Sequence, residues 1–145
     1  MTPKQIDLVR DSWAKVVPIA DQAAATFYAR LFELDPSLQA LFRSDIEAQG
    51  RKLMSMIGTV VANLRNLSTL VPAIEDLGRR HVGYGVKPAH YDTVGAALLW
   101  TLEKGLGDAF TDETREAWTR AYVILAEVMQ SAAARYERAE AIAEA

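Results

Sequence analysis

An all-α fold is what the sequence predicts, on three observations. Apolar residues recur at the helical period along most of the chain, as in Ile6, Val9, Trp13 and the Val16/Val17 pair. That spacing puts them on one face of a helix. Helix starts are marked by residues that can satisfy free backbone N–H groups. Thr2-Pro3-Lys4-Gln5 supplies a capping threonine, a proline at the first helical position and a glutamine three residues past the cap. Finally, no segment shows the polar–apolar alternation of a strand.

Each element follows in order. The first helix runs from the Thr2 cap to Pro18. The second spans about Asp21 to Leu34 and turns Ala24, Phe27/Tyr28 and Leu31/Phe32 inward. Pro36 opens a short helical turn that ends at Leu41-Phe42. Ser44-Asp45-Ile46-Glu47 reads as a second capping box. It starts a long helix with the stripe Gln49, Leu53, Met56/Ile57, Val60 and Leu64. Gly50 and Ala24 are small enough for these two helices to cross at close range. Leu70, Ile74, Leu77 and His81 then fall at i, i+4, i+7 and i+11, and Gly83, Gly85 and Pro88 stop that helix. Pro88 begins a helix through Val94, Leu98/Leu99 and Leu102 that ends near Gly105 and Gly107. The last helix starts at Thr111, with Asp112 and Glu113 favourable in its first turn. It passes Trp118, Tyr122, Leu125 and Met129, and its final ten or so residues, YERAEAIAEA, are expected to fray. The sum is one domain over 1–145 with about seven helices.

Composition narrows the function classes. Half of the 145 residues are hydrophobic and the net charge is only -3. This argues against a nucleic-acid surface and against a polybasic membrane anchor. No apolar run is long enough to span a membrane, and the start MTPKQIDLVRDSW is too charged for a signal peptide. With no cysteine, disulfides, thiolate metal sites and catalytic thiols are excluded. A reducing cytoplasm is the natural compartment.

His81 is the residue around which chemistry can gather. It ends an apolar stripe. A neutral imidazole there can bond a metal through one ring nitrogen while the other donates to a carbonyl one turn back, near Leu77. The plainer alternative is a satisfied core histidine. Tyr28 and Gln49 are polar residues on stripes that otherwise face the core. Singly, Tyr28 can lead its hydroxyl to water and Gln49 can sit at an exposed helix start. Together with His81 they outline a pocket: a metal ligand on one wall and two hydrogen-bond donors opposite.

The pattern Tyr28, Pro36, Phe42, Gln49, Leu53, Leu77, His81 resembles a single-domain bacterial globin, as do the stretches LGRRH, VGAALLWTLEKGLGDAF and TREAWTRAY. The similarity is to flavohaemoglobin haem domains and to neuroglobin, and it covers residues 2 to about 133. It implies a globin fold around haem b (iron protoporphyrin IX). His81 would be the proximal iron ligand. Phe42 would stack on the porphyrin, and Leu53, Leu77, Val86 and Val94 would line the apolar pocket. Tyr28 and Gln49 would donate to dioxygen. Lys52 and Arg80 would meet the propionates, Arg51 and Arg79 would form a solvated face, and His90 would be a surface or capping residue. Tyr91 matches the tyrosine of the flavohaemoglobin proximal Tyr–Glu pair. The glutamate position falls on Arg135, so that pair is incomplete here.

The function implied is high-affinity, reversible dioxygen binding for storage, transport or scavenging, with carbon monoxide or nitric oxide as further ligands. The alternative implied is a nitric-oxide dioxygenase served by a separate reductase, since the chain leaves no room for a flavin reductase module. A sensor would need an output domain. From a different class stands a haem-free helical interaction module, which a missing Soret band would favour.

Overall fold

Helices form where the caps and the apolar period place them. A computed structural model of the chain describes residues 1–42 and 45–144. Helix α1 (Pro3–Val16) opens on the expected box: the Thr2 hydroxyl accepts from Gln5 N at 3.1 Å, and Gln5 Oε1 accepts from Thr2 N at 3.0 Å. A 3-10 turn, Val17–Ile19, carries Pro18 and leads into α2 (Ala20–Leu34). Asp35 ends α2 in an extended conformation and accepts from Ser37 N at 3.1 Å. The segment it caps, Pro36–Leu41, is a 3-10 turn. Among the described residues six α-helices form, and the short helical turn counted with them from the sequence is this 3-10 segment.

Helix α3 (Ile46–Ala62) is capped by Asp45, which accepts from Glu47 N at 3.1 Å. The capping box expected from Ser44 lies outside the described residues. The chain then passes through a 3-10 stretch, Leu64–Leu70. Leu64 and Leu70, read from sequence as the ends of two helical stripes, both belong to this connection. Helix α4 (Val71–Gly83) starts with Pro72 in its first turn, where a missing N–H costs nothing. Gly85 turns the chain after α4 at φ +88°, a region open to glycine at little cost. Helix α5 (Pro88–Leu106) ends at Gly107, at φ +55°. Helix α6 (Asp112–Glu144) is the longest, and its residues 134–143 are exposed.

One core cluster joins α1, α3, α5 and α6 around Trp13 and Trp118, whose ring centroids are 6.0 Å apart. The buried polar groups here are paired: Trp118 Nε1 donates to Ser12 Oγ at 2.8 Å, and Ser12 Oγ donates to the Leu8 carbonyl at 2.6 Å. Pairing matters, since an unmet buried donor costs about 1–3 kcal/mol. Helix α2 packs on α5 and α3, and α4 packs on α6. Among the described residues α3 and α4, consecutive in the chain, make at most a weak contact with each other. The remaining polar residues are divided between the α2/α3 side and the α4/α6 side, and the space between the two sides is termed the cleft.

Candidate functional site

The sequence-predicted residues fall into two clusters, one on each side of the cleft. On the α2/α3 side, Phe27, Tyr28, Leu31, Leu38 and Ala97 are buried, with Phe32, Phe42, Leu53 and Val94 packed against them. Tyr28 is the hub. Its ring meets Phe27 at a centroid distance of 5.0 Å and Phe42 at 5.3 Å, both edge-on, and Phe32 at 6.1 Å. Edge-to-face pairs of this kind add about 0.5–1.5 kcal/mol beyond burial. Helix α3 approaches closely as expected: a Cβ on Gly50 would stand 3.0 Å from the Ala24 Cβ and 3.9 Å from Tyr28 Cε2.

The Tyr28 hydroxyl is pushed up to about 12 by burial, because an anion there would lose its hydration. The nearby Gln49 side chain draws the value part of the way back. The two residues picked out as polar intruders on apolar stripes thus stand side by side.

On the α4/α6 side, Ile74, Tyr91, Ala126 and Met129 are buried, with Leu77, Val86 and Tyr122 packed against them. His81 Nδ1 lies 2.7 Å from the Leu77 carbonyl oxygen. A carbonyl can only accept, so Nδ1 carries the proton and Nε2 keeps a free lone pair. Burial lowers the His81 pKa; the Leu77 hydrogen bond opposes this and the nearby Arg80 charge reinforces it. The turn after the helix is fastened to the same residue: the Tyr84 and Val86 N–H groups donate to the His81 carbonyl at 3.1 and 3.0 Å. Helix α5 links the two sides, with Tyr91 in one cluster and Val94 in the other.

The apolar residues expected to line the pocket are buried only in part. Phe42, Leu53, Leu77, Val86 and Val94, like His81 itself, are half-buried. They present apolar surface that no other helix covers. Among the described residues, no three His, Cys, Asp or Glu side chains are grouped to hold a metal ion. A single imidazole holds a bare ion poorly. A metal at His81 must therefore bring its other donors with it, as a flat apolar macrocycle does. The residues present fit such a group.

Rim residues are more mixed. Lys52 is exposed and lines an open hollow of about 520 Å³ with Ala48, Arg51, Ser55 and Met56. Arg80 is exposed and paired with Asp76, Nε to Oδ2 at 3.2 Å, and Arg79 reaches the same carboxylate at 3.7 Å. Exposed pairs like these contribute about 0–1 kcal/mol, so Arg80 can exchange partners. His90 sits off the cleft: its Nδ1 accepts from Lys87 N at 2.9 Å, at the start of α5. Arg135 is paired with Glu75.

Several contributors escaped the sequence reading. Tyr84 lies beside the His81 imidazole, with centroids 5.8 Å apart. Phe32 joins the aromatic group around Tyr28 and Phe42, its ring 5.5 Å from Phe42. Tyr122 donates its hydroxyl to the Tyr91 carbonyl at 2.6 Å. Gly78 lets α4 touch the α6 backbone at Met129. Phe32 and Tyr122 were read only as stripe residues, and Gly78 left its trace as a glycine inside a helix, where it costs about 1 kcal/mol relative to alanine.

Comparison with known proteins agrees with this arrangement. The globin family model matches residues 25–129. A flavohemoprotein from Xylella fastidiosa strain 9a5c is 34% identical over 132 residues, covering 89% of this chain and 33% of that protein. A flavohemoprotein from Vibrio cholerae is 31% identical over 135 residues, covering 88% of this chain and 33% of its own length. The chain thus spans about one third of the curated relatives it matches. Among solved structures, an engineered carbene transferase built on a Rhodothermus marinus protein, provisionally named a nitric oxide dioxygenase, superposes with a TM-score of 0.89. It is 28% identical, over 97% of this chain and 99% of that one. With the family model covering most of its length, this chain belongs to the globin family.

Proposed function

We propose that this protein is a haem-b globin that binds dioxygen reversibly and with high affinity. The observation that carries the reading is His81: half-buried, with its Nδ1 committed to the Leu77 carbonyl at 2.7 Å, which leaves the Nε2 lone pair for a metal. When bound, the haem iron supplies the reversible binding of a diatomic gas. The chain supplies everything that makes the binding selective. His81 holds the group from one wall as a neutral imidazole, oriented by its carbonyl partner. Phe42, Leu53, Leu77, Val86 and Val94 cover its faces and keep water out. Lys52 and Arg80 stand at the rim as partners for its carboxylates. On the other wall the Tyr28 hydroxyl and the Gln49 amide donate hydrogen bonds to a ligand that carries partial negative charge, which dioxygen does and carbon monoxide does far less. Because the Tyr28 hydroxyl titrates near 12, it remains a donor at every physiological pH.

A second reading, nitric-oxide dioxygenase activity with a separate reductase, is favoured by the flavohemoprotein relatives and the Rhodothermus marinus neighbour. It uses the same donors and differs in turnover. One preparation tests both. The reduced protein with haem should show a Soret band of five-coordinate, high-spin iron, because Tyr28 and Gln49 are poor ligands for ferrous iron and His90 is held at the start of α5, with its Nε2 4.0 Å from Asp35 Oδ2. A bis-histidine spectrum lost in His90→Ala, or no Soret band at all, would refute the site. Sustained consumption of nitric oxide with a supplied reductant would establish the dioxygenase reading; stoichiometric consumption that stops after one round would leave the binding protein.

A further inference from the structure

Helix α4 carries His81, yet it rests mainly on one support. Its packing is concentrated on α6, with a lesser contact to the 3-10 stretch before it. The closest approach is at Gly78. A Cβ there would stand 2.8 Å from Met129 Cα and 2.9 Å from its carbonyl carbon, with the carbonyl oxygen nearer still. These are backbone atoms, which cannot rotate aside. The other tight glycine on this side differs: a Cβ on Gly95 would meet the Tyr122 ring at 2.8 Å, a side chain that can yield. Helix α6 is itself braced before it reaches Met129, by Trp118 on Ser12 of α1 and by Tyr122 on Tyr91 of α5. When the contact is crowded, α4 is therefore the element that moves.

Gly78 precedes His81 by three residues, about 60° round the helix. A displacement of α4 off α6 carries the imidazole with it. Ordinary contact needs roughly an ångström more room than a Cβ would have, and metal–nitrogen bonds tolerate about 0.2 Å. From this geometry we infer that Gly78 is a positioning residue, setting where the His81 Nε2 stands by letting α4 bear directly on the Met129 backbone. The inference rests on the haem reading above. It gives a reason for an interior glycine that costs about 1 kcal/mol in the helix alone.

The test compares Gly78→Ala in two holoprotein backgrounds. One keeps His81; the other is His81→Gly supplied with free imidazole, where the ligand is no longer tethered to α4. The readouts are the iron–imidazole stretching band of the reduced protein and the rate of haem transfer to an acceptor protein. With His81 present, Gly78→Ala should shift or broaden the band and speed haem loss about 10–100-fold, the scale of other supports to a ligand. In the untethered background the band should stay in place. No shift with His81 present overturns the inference, and so does an equal shift in both backgrounds, which would mean general deformation of the cleft. If Gly78→Ala does not fold, Met129→Gly acts on the same contact from the other side, by making the α6 backbone that α4 bears on more pliable. It should shift the tethered band alone, and an unmoved band overturns the inference. Failure of the haem reading looks different: the unmutated protein would then show no band that depends on His81.

Discussion

Tyr122 and Tyr28 stand on opposite sides of the cleft, and burial raises the pKa of both. Tyr122, on α6, donates to the Tyr91 carbonyl at 2.6 Å, so its hydroxyl is spent on holding α5 to α6. Tyr28, on α2, has no backbone acceptor among the described residues; the polar group nearby is the side chain of Gln49. The histidine obeys the same division within one ring, with Nδ1 spent on Leu77 and Nε2 kept free. Groups committed to backbone carbonyls build the wall that carries His81. Groups without a backbone partner are, in the function proposed above, the ones a ligand would claim. The two walls should therefore fail in different ways when their polar groups are removed.

The largest effect belongs to the free nitrogen. His81→Ala should lose most stable haem binding, or keep it only with added imidazole. The check is the Soret absorbance that survives gel filtration. Full occupancy with an unchanged ferrous spectrum would show that another residue is the ligand.

Next comes the opposite wall. A hydrogen bond to a charged acceptor contributes about 1.5–3 kcal/mol, and each ~1.4 kcal/mol is tenfold in a rate or equilibrium. Tyr28→Phe should therefore release dioxygen roughly 10–100-fold faster while barely changing carbon monoxide release. Gln49→Leu should act in the same direction but more weakly. Stopped-flow off-rates for both gases decide it. Equal changes for the two gases would mean that the ring acts by sterics. No change for either would mean that the hydroxyl serves the fold and not a ligand.

The sequence made one half of this contrast far more legible than the other. Tyr28, Gln49 and His81 were readable because each breaks an apolar stripe, and a break in a period is a local signal. The helix limits were readable too, from Thr2, Pro88 and the glycines at 85 and 107. The distinction at Pro36 was not: a proline and an aspartate cap start a 3-10 turn as well as an α-helix, and the tertiary fit chooses between them. Nor was the partnership of Tyr122 with Tyr91, which are 31 residues apart. Tyr122 fits its stripe perfectly, and a residue that fits gives no hint that its hydroxyl has a task. The cation at Arg80 was assigned to the rim by the resemblance, but the spacing to Asp76, four residues back, gives it an exposed partner already.

An alkaline titration sharpens the comparison further. The Tyr28 pKa is about 12 in the folded chain, against about 10 when exposed in the unfolded one. Below pH 10 the hydroxyl is protonated in both states and its contribution to stability is full. As pH rises from 10 towards 12, the unfolded chain loses the proton while the folded one holds it, so that contribution is lost. Tyr91 and Tyr122 are raised as well and add to the loss. Tyr28→Phe should therefore flatten part of the fall in the denaturation midpoint between pH 9 and pH 11.5. An identical fall in mutant and unmutated protein would place the Tyr28 hydroxyl in water.

The smallest effect is the one that isolates the carbonyl-bonded wall. Tyr122→Phe keeps the ring that packs on Gly95 and removes only the hydroxyl. It deletes one neutral hydrogen bond, worth about 1 kcal/mol net, and leaves the Tyr91 carbonyl short of one donor. Stability at neutral pH should fall by about that amount, with dioxygen and carbon monoxide release unchanged. Tyr28→Phe should do the reverse: near-neutral stability at pH 7, since no backbone group loses its partner, and a large change in dioxygen release. Denaturant midpoints and off-rates for both single mutants and the double mutant read this directly. The two residues sit in separate clusters, so their effects on stability should add within about 0.5 kcal/mol. A dioxygen off-rate that responds to Tyr122→Phe as strongly as to Tyr28→Phe would mean that the two walls are mechanically coupled through α5, and that the division of labour between carbonyl-bonded and free hydroxyls does not hold.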